Sequence, residues 1–394
     1  MAADPPSTSP VLTRAALNRA LLARQHLLAR TPAGAVDVLR DLVGVQAQNT
    51  TSPYVGLWSR VEGFRHADVG DALLERRVAR IAVMRGTIHL LTRVDALLLP
   101  ELTRPLFARD LAVNSQHAAA LRTVDLAEVG AAARALVERS PRTTTELGRL
   151  LAVRWPQVAP STLAYAARGL LALVQVPPRG MWGRSAPTTW TTTDAWWAPT
   201  GAAPGPVDVP VALEALARRF LAAFGPASVA DLRQWSGLTG WGPVVERLRP
   251  DLVTFRAEPG PGARHGRELL DLPDAPRPPA DVPAPVRYLP DYDNVTLAYA
   301  DKGRMIDDAD RGRLASPNGV LPGTVLLDGR VGGTWRVRRA RVGGPDRSRD
   351  EVATLEVEPF RAVSRSLRRE LAAEGERLVR FVADDAVDHR VVVS

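Results

Sequence analysis

The sequence has no cysteine and a single lysine, Lys302. The lack of cysteine excludes disulfides, iron–sulfur clusters, thiolate zinc sites and a cysteine nucleophile. With only one lysine besides the N-terminal amine, covalent Schiff-base chemistry is disfavoured. No apolar run approaches the roughly 18 residues that a membrane span needs, and the first residues, MAADPPSTSP, lack the features of a signal peptide. We therefore expect a cytoplasmic protein without a membrane partner.

Several catalytic and metal-binding motifs are also missing. The chain contains no Walker loop, no G-x-G-x-x-G after a strand and no G-x-S-x-G nucleophile elbow. Its six histidines never fall at the spacing of zinc fingers or zinc proteases. We therefore predict no metal site and no cofactor.

Arginine, in contrast, is abundant. Lysine and arginine together number 51 against 43 acidic residues, which gives a net charge of +8, and every one of the 51 except Lys302 is arginine. Guanidinium groups match the geometry of phosphates and stack on bases, so this excess indicates a nucleic-acid partner. A GC-rich genome would also produce an arginine-rich composition, and this alternative stays open at this point.

The order of predicted elements repeats along the chain. Apolar residues at helical spacing predict three helices before residue 78, and a β-branched stretch broken at Arg85-Gly86 then predicts a hairpin. Three helices followed by a hairpin is the order of a winged helix, and it recurs twice. The last part of the chain is rich in predicted strands and ends in a helix with alternating charge.

These patterns predict an α+β fold of three tandem winged-helix units, followed by a β-barrel or sheet with a C-terminal helix. The predicted parts are a disordered tail at 1–10, winged helices at 11–122, 123–200 and 208–272, and the strand-rich domain at 285–394.

The segment LVGVQAQNT, residues 42–50, ends the second predicted helix. Gly44 weakens helix continuation, and in an extended segment Gln46 and Gln48 would project to the same side while Ala47 turns into the core. Two carboxamides offer donors and acceptors without net charge, which suits gripping a water molecule or a base edge. From spacing alone, capping the helix end is the favoured role. Asn49 is a candidate for this cap and for a DNA contact.

Winged helices bind DNA through a helix in a groove and basic wings on the backbone, although such units also serve as protein-binding modules. The candidate DNA contacts are Arg85, Thr87 and His89 in the first wing, Trp182 and Arg184 in the second, and Arg336, Arg338 and Arg339 in the basic stretch 329–349. For the first wing, a structural hairpin with a partly buried His89 is the alternative interpretation. For the basic stretch, the alternative is an edge strand that its charges protect from aggregation.

Strand alternation adds detail to the basic stretch. Arg336 and Arg338 share one face of a predicted strand. The alternation breaks at Arg339 and Arg341, which predicts a bulge or a strand end there. In LPDYDN, residues 289–294, we expect Asp291, Asp293 and Asn294 to fix a turn. Asp291 or Asp293 is the alternative water activator if the glutamines do not fill that role.

Five segments taken together resemble a known superfamily. They are VGVQAQNTTSPYVGLWSR, MRGTIHLLT, GMWGRSAPTTW, YLPDYDNVTLAY and GTVLLDGRVGGTW. In this order they resemble the winged-helix superfamily of AlkZ and YcaQ DNA glycosylases, over about residues 11 to 390. The Gln46-Ala47-Gln48 motif is similar to that of the AlkZ-like branch. The YcaQ-like branch has aspartate where this sequence has Gln48.

The resemblance implies a monofunctional DNA glycosylase that hydrolyses the N-glycosidic bond of bulky N-alkylpurines, especially N7-alkylguanine. It further implies a C-shaped DNA channel formed by three winged helices, a β-barrel, and a monomeric protein acting on double-stranded DNA at the nucleoid. Relatives accompany actinomycete gene clusters for DNA-alkylating antibiotics, protect the producer, and in some cases unhook interstrand crosslinks. We hypothesise that Gln46 and Gln48 are the catalytic residues.

Two other classes of function remain as alternatives. The first is a non-catalytic transcriptional regulator built from winged helices, although regulators more often carry one unit and dimerise on palindromic sites. The second is a protein-interaction scaffold, whose DNA binding would be absent or insensitive to salt.

Overall fold

The computed structural model describes residues 9–198, 206–259, 266–314, 321–341 and 350–394. Residues 1–8 of the predicted tail, and Arg347 and Arg349 of the predicted basic stretch, lie outside the described residues. Within the described ranges, no helix is both long and apolar enough to cross a membrane.

The first part of the chain contains the predicted hairpin, but four helices precede it where three were predicted, because Ser52–Trp58 is also helical. Its elements are β1 (Val11–Leu12), α1 (Arg14–Arg24), α2 (Ala35–Asp41), β2 (Val45–Gln46), α3 (Ser52–Trp58), α4 (His66–Leu74), β3 (Val78–Ala82), β4 (Ile88–Thr92) and α5 (Arg93–Val113). Helix α1 begins after Thr13, whose side chain accepts a hydrogen bond from the backbone of Ala16. Strands β3 and β4 form the predicted hairpin around the 3-10 turn Met84–Gly86.

The second part consists of α6 (Ala118–Leu121), α7 (Leu126–Arg139), β5 (Arg142–Thr143), α8 (Thr144–Ala152), α9 (Pro160–Leu170), β6 (Leu173–Gln175), β7 (Thr189–Thr192) and α10 (Thr193–Trp197). Helix α8 begins with a capping box, in which Thr143 and Glu146 each satisfy the backbone N–H of the other. These hydrogen bonds to Thr143 lower the pKa of the Glu146 carboxyl.

The third part contains α11 (Val209–Phe224), α12 (Val229–Ser236), α13 (Trp241–Leu248), β8 (Val253–Ala257) and β9 (Glu268–Asp271). Helix α12 also begins with a capping box, formed by Ser228 and Asp231. Helices α8 and α12 therefore start in the same way.

The strands of these three parts join into sheets that cross the predicted unit boundaries. One six-stranded sheet has the order β2-β4-β3-β6-β7-β5, and its two halves meet where Ile81 of β3 pairs with Val174 of β6. A three-stranded sheet has the order β1-β8-β9, so the first strand of the chain lies in parallel beside β8. Strand β4 is buried along its whole length, with Leu91 in one hydrophobic core and Leu90 in another. Strand β2 thus lies beside a strand that is packed on both faces.

The C-terminal part is a sheet capped by a helix. Its elements are β10 (Arg287–Leu289), α14 (Asn294–Leu297), β11 (Gly323–Leu327), β12 (Arg330–Arg341), β13 (Glu351–Pro359), α15 (Arg365–Val382) and β14 (Asp388–Val393). The strand order is β10-β11-β12-β13-β14, and the edge strands β10 and β14 do not pair with each other within the described residues. The predicted barrel is therefore an open five-stranded sheet, which α15 covers through Leu371, Leu378 and Val379.

The bulge predicted at Arg339 is wrong. Strands β12 and β13 pair in continuous register from Gly333 opposite Pro359 to Arg341 opposite Glu351. The alternation of residue types breaks because Arg339 forms its own ion pair with Asp385, which follows α15. The irregularity lies instead in β11, between Val325 and Leu326.

Candidate active site

A sharp turn places the glutamine segment beside β4. Val43 and Gly44 both have left-handed backbone angles, with φ of 56° and 81°. A Cβ atom at Gly44 would lie 2.8 Å from the carbonyl oxygen of Leu90, so only glycine fits there. The chain then runs antiparallel to β4, with Gln46 opposite His89. Ala47 is fully buried, as the sequence predicted.

Hydrogen bonds fix the orientation of both glutamine amides. Oε1 of Gln46 accepts a hydrogen bond of 2.9 Å from Nη2 of Arg85, and Oε1 of Gln48 accepts one of 3.3 Å from the backbone N–H of Ile88. A guanidinium and a backbone N–H can only donate, so the partner atom in each amide must be the oxygen. Both amides therefore turn their oxygen toward the protein and keep their N–H groups for another partner. Gln46 is buried to 6% exposure, whereas Gln48 is exposed.

Arg85 ties the glutamine segment to α12. Its guanidinium also donates to the backbone carbonyl of Trp235, and its backbone is left-handed, with φ of 54°. Left-handed backbone in a non-glycine residue costs of order 1–3 kcal/mol and persists where surrounding contacts hold it. Gly237, at the end of α12, packs against the Arg85 backbone so closely that a Cβ there would lie 3.1 Å from it. Among the described residues, no carboxylate lies within 4.0 Å of the Arg85 guanidinium, and burial lowers its pKa to about 10.

His89 is the third member of this network. It is 1% exposed, with Nδ1 at 3.0 Å from the carbonyl oxygen of Thr87 and Nε2 at 3.3 Å from Nη2 of Arg85. Because Arg85 only donates, Nε2 must accept, and the single imidazole proton lies on Nδ1. Burial and the neighbouring guanidinium lower the pKa of His89 to about 3. The imidazole is therefore neutral at physiological pH.

Arg85 and His89 of the first predicted wing thus lie beside Gln46. Thr87 donates from its hydroxyl to the carbonyl of Met84 at 3.1 Å, which holds the turn. The burial of His89 favours the alternative interpretation of a structural hairpin over a direct DNA contact by this residue.

Asn49 links the glutamine segment to the LPDYDN loop. Its Oδ1 accepts from the backbone N–H of Thr51 at 3.2 Å, which forms a turn just before α3. Its Nδ2 lies 3.5 Å from Oδ2 of Asp291, and the hydroxyl of Ser52 donates to Oδ1 of the same carboxylate. Asp291 therefore lies next to the glutamine motif, although 242 positions separate it from Asn49.

The other two polar residues of this loop have structural partners. Asp293 accepts two hydrogen bonds from the guanidinium of Arg60, at 2.8 and 2.9 Å, and caps α14. Asn294 donates to the carbonyl of Gly44 at 2.8 Å, so the loop holds the turn before β2. Asp293 is 5% exposed and binds Arg60 through both oxygens, which favours a structural role over that of a water activator.

Four of the candidate DNA contacts line one cleft of about 460 Å³ together with Asp291: they are Asn49, Trp182, Arg336 and Arg339. The ring of Trp182 stacks on His66 at a centroid distance of 4.0 Å. Arg184 is exposed near Trp182 in the chain.

The arginines of β12 are partly engaged in ion pairs. Arg336 and Arg338 share Glu356, at 2.6 and 2.8 Å from their Nε atoms, which confirms that they project to one side of the strand. Arg339 binds Asp385 through both terminal nitrogens, at 2.9 and 2.7 Å. Arg336 and Arg338 are more exposed than Arg339 and share a single counter-charge.

The sequence and the fold of the chain are both similar to those of known proteins. The sequence model of the AlkZ-like DNA glycosylase family matches residues 39–381. The chain belongs to the AlkZ-like DNA glycosylase family. Among solved structures it is similar to Streptomyces sahachiroi DNA glycosylase AlkZ, with a TM-score of 0.74 and 20% sequence identity over 98% of this chain and 100% of that chain. No curated protein sequence matches the chain.

Family membership confirms the resemblance seen in the sequence and identifies the chain as a DNA N-glycosylase that acts on DNA. It favours an enzyme over the non-catalytic regulator. In the described part of the chain, no three or more His, Cys, Asp or Glu side chains are grouped so that they could hold a metal ion.

Sequence reasoning missed some of the residues around this site. Ser52, Trp235 and Trp335 were not candidates, and the structure places all three beside residues that were. Trp235 acts through its backbone carbonyl, which leaves no signal in a sequence. Ser52 follows Gln48 by only four positions, and this closeness in the sequence is the signal that could have identified it.

Proposed function

We propose that this DNA glycosylase hydrolyses the N-glycosidic bond of N7-alkylguanine and related bulky N-alkylpurines in double-stranded DNA, held in a channel between three winged-helix units. Gln46 and Gln48 hold the attacking water near the anomeric carbon. The observation that carries the proposal is the hydrogen bond from half-buried Arg85 to Oε1 of Gln46, which fixes one amide before any substrate binds.

The chemistry explains why amides suffice. An N7-alkylated guanine is positively charged, so it leaves as a neutral base once it takes the electron pair of the C1′–N9 bond. Water adds to C1′ and loses a proton to solvent, which leaves an abasic site. A carboxamide is too weak a base to take that proton in the transition state. Its contribution is to hold the water in place, and orientation of this kind lowers the barrier substantially.

In this proposal, each glutamine amide forms a different hydrogen bond with the water. The Nε2 group of one glutamine donates to a lone pair of the water, while the second lone pair attacks C1′. Each Oε1 keeps one lone pair besides that used by Arg85 or by the backbone of Ile88, so the other glutamine accepts a hydrogen bond from the same water. Hydrogen bonds that are preorganised in this way need no rearrangement during the reaction.

Bulky adducts and interstrand crosslinks belong to the same proposal. The motif lies on an extended segment, and Gln48 is exposed next to the cleft of about 460 Å³. Large substituents on the purine therefore have space beside the motif. We propose that the substrates include adducts of DNA-alkylating natural products, and that the enzyme protects cells from such agents.

Single-turnover excision tests the proposal. The substrate is a duplex with one N7-methylguanine, and the variant is Gln46→Ala/Gln48→Ala. We expect excision to fall at least about 100-fold, the scale of losing preorganised hydrogen-bond donors, while the Kd for undamaged duplex stays within about twofold because the amides are uncharged. Gln157→Ala, which truncates an exposed glutamine outside the site, is the matched control. Excision at the wild-type rate by the double variant would refute the proposal.

A further inference from the structure

The cleft beside the glutamine motif brings together segments that are far apart in the chain. Asn49 and Ser52 lie at the start of α3, Trp182 lies between β6 and β7, Asp291 follows β10, and Trp335 belongs to β12. Its volume of about 460 Å³ is in the range of pockets that hold small organic molecules. Because Asn49 directly follows Gln48, a group bound in the cleft would lie next to the two amides.

Asp291 is the carboxylate of this cleft, and it has no cationic partner. Within the described residues, no arginine, lysine or histidine nitrogen lies within 4.0 Å of its oxygens. Its partners are the Ser52 hydroxyl and the Asn49 amide, both neutral. Asp293, two positions later, is in contrast paired with Arg60 through both of its oxygens. Among the described residues, Asp293 therefore has a cationic partner that neutralises its carboxylate, and Asp291 does not.

Because Asp291 is partly buried, the lack of a cationic partner among the described residues makes its charged form energetically unfavourable. The residue is half-buried, and burial raises the pKa of its carboxyl against the opposing effect of the Ser52 and Asn49 hydrogen bonds. The arginines that line the cleft bind other carboxylates, since Arg336 shares Glu356 with Arg338 and Arg339 binds Asp385. A partly desolvated carboxylate without a counter-ion attracts a cation more strongly than one in water does.

The walls of the cleft are aromatic and held in place. Trp182 stacks on His66, and its Nε1 donates to Asp384 at 3.3 Å. Trp335 donates from Nε1 to the carbonyl of Leu289 at 2.8 Å. Gly323 lies flat against the Trp335 ring, because a Cβ there would be 2.5 Å from the ring. Fixed indole rings attract cations and flat aromatic rings without an entropy cost for ordering the wall.

We propose that this cleft is the binding site for the positively charged purine ring of the lesion, with Asp291 as its counter-charge. The ligand class is a cationic, planar N-alkylpurine. The cleft thereby selects an alkylated purine over a normal one by charge, before the glutamines act. This assignment rests on the proposed function, since it takes the lesion to be an alkylated purine.

Binding to uncleavable DNA tests the cleft separately from catalysis. The probes are two duplexes that differ in one nucleotide, which is 2′-fluoro-7-methyldeoxyguanosine in one and 2′-fluorodeoxyguanosine in the other. The 2′-fluorine disfavours the oxocarbenium-like transition state, so the glycosidic bond stays intact. The quantity measured is the ratio of the two Kd values, which isolates the preference for the charged base from general DNA affinity.

We expect the wild-type protein to bind the charged duplex more tightly, and Asp291→Asn to reduce that preference about tenfold. Asp291→Glu keeps the charge and should retain most of the preference. The matched control is Asp274→Asn, which removes an exposed aspartate and changes the net charge equally. An unchanged ratio in Asp291→Asn overturns the proposal, and so does an equal loss of preference in Asp274→Asn.

The same proteins show whether a failure belongs to the cleft or to the proposed function. If the wild-type protein excises N7-methylguanine and Asp291→Asn keeps the binding preference, the cleft assignment alone fails. If the wild-type protein excises no N-alkylpurine and shows no preference for the charged duplex, both fail. Thermal unfolding of each variant verifies that it is folded before its Kd is measured.

Discussion

The guanidinium of Arg85 donates a hydrogen bond of 2.9 Å to Oε1 of Gln46, 39 positions earlier in the chain. The same guanidinium is held by the carbonyl of Trp235 in α12, and it lies 3.3 Å from Nε2 of the neutral His89. The orientation of one motif amide is thus determined by a residue on the β3–β4 turn and by a helix from the third part of the chain. Arg85 is a positioning residue in this account, because it acts through Gln46.

The first prediction concerns Arg85→Met, which keeps an unbranched side chain and removes the donors. We expect single-turnover excision of N7-methylguanine to fall by about 10- to 100-fold, because the Gln46 amide loses the donor that orients it. The Kd for undamaged DNA should change by less than about threefold. Arg85→Lys, which keeps a donor and a charge, should recover part of the rate.

A merely structural role for Arg85 gives a different result. In that case the excision rate and the Kd for DNA would change together with the melting temperature. Arg85→Lys would then not recover the excision rate independently of the melting temperature. Measurements of all three quantities at a temperature well below the melting point of each variant distinguish the two roles.

The second prediction concerns stability in acid. The pKa of His89 is lowered to about 3 in the folded protein from an ordinary value of 6.5, so between these values the unfolded chain binds a proton that the folded chain does not. Stability from this group is therefore present above about pH 6.5 and is lost as the pH falls toward 3. From pH 6.5 to 5, the loss is about 2 kcal/mol.

Denaturant unfolding of wild type and His89→Asn at several pH values measures this loss. Asparagine can donate to the Thr87 carbonyl in place of Nδ1, but it does not titrate. The free energy of unfolding of the variant should depend less steeply on pH below 6.5 than that of the wild type, since all other titrating groups are shared. If the free energies of unfolding of the wild type and the variant depended on pH with the same slope, the burial of a neutral His89 would be contradicted.

The third prediction concerns the pair between Arg60 and Asp293, whose side chains are 1% and 3% exposed. Asp293→Ala leaves the Arg60 charge buried without its partner, and we expect the free energy of unfolding to fall by about 3–5 kcal/mol. Asp388→Ala removes an aspartate from the exposed pair with Arg390 and should cost less than about 1 kcal/mol. Similar costs for the two variants would show that Asp293 is not a buried structural partner.

The fourth prediction concerns DNA affinity through β12. Glu356 neutralises part of the charge of Arg336 and Arg338. Glu356→Gln should therefore strengthen binding to undamaged duplex, whereas Arg336→Ala/Arg338→Ala should weaken it and make the slope of log K against log salt shallower by about 1–2. Gel-shift or anisotropy titrations at several salt concentrations provide these slopes. An unchanged salt slope in the double variant would show that these arginines do not contact DNA phosphates.

Local features of the fold could be predicted from the sequence because neighbours in the chain determine them. The capping residues Thr143 and Glu146 mark the start of α8, and the β-branched stretch around Arg85 gives the β3–β4 hairpin. The burial of Ala47 between two glutamines follows from the two-residue period of an extended segment. These inferences need only spacing and residue type.

Long-range features could not be predicted in the same way. The contact of Arg85 with Trp235 spans 150 positions and ends on a backbone carbonyl, which carries no side-chain signal. The contact of Asn49 with Asp291 joins two loops whose proximity depends on how α3 packs on β10. The C-terminal strands form an open sheet and not a barrel because β14 returns after α15 and pairs in parallel with β13. Strand propensity alone does not distinguish these two pairings.

A double-mutant cycle between Arg85 and Gln46 tests the central claim most directly. It compares single-turnover excision of N7-methylguanine by wild type, Arg85→Met, Gln46→Ala and the combined variant. If Arg85 acts by orienting the Gln46 amide, the combined variant excises the base as slowly as Gln46→Ala alone, within about twofold. Fully multiplicative losses, or undiminished excision by Gln46→Ala, would contradict the account.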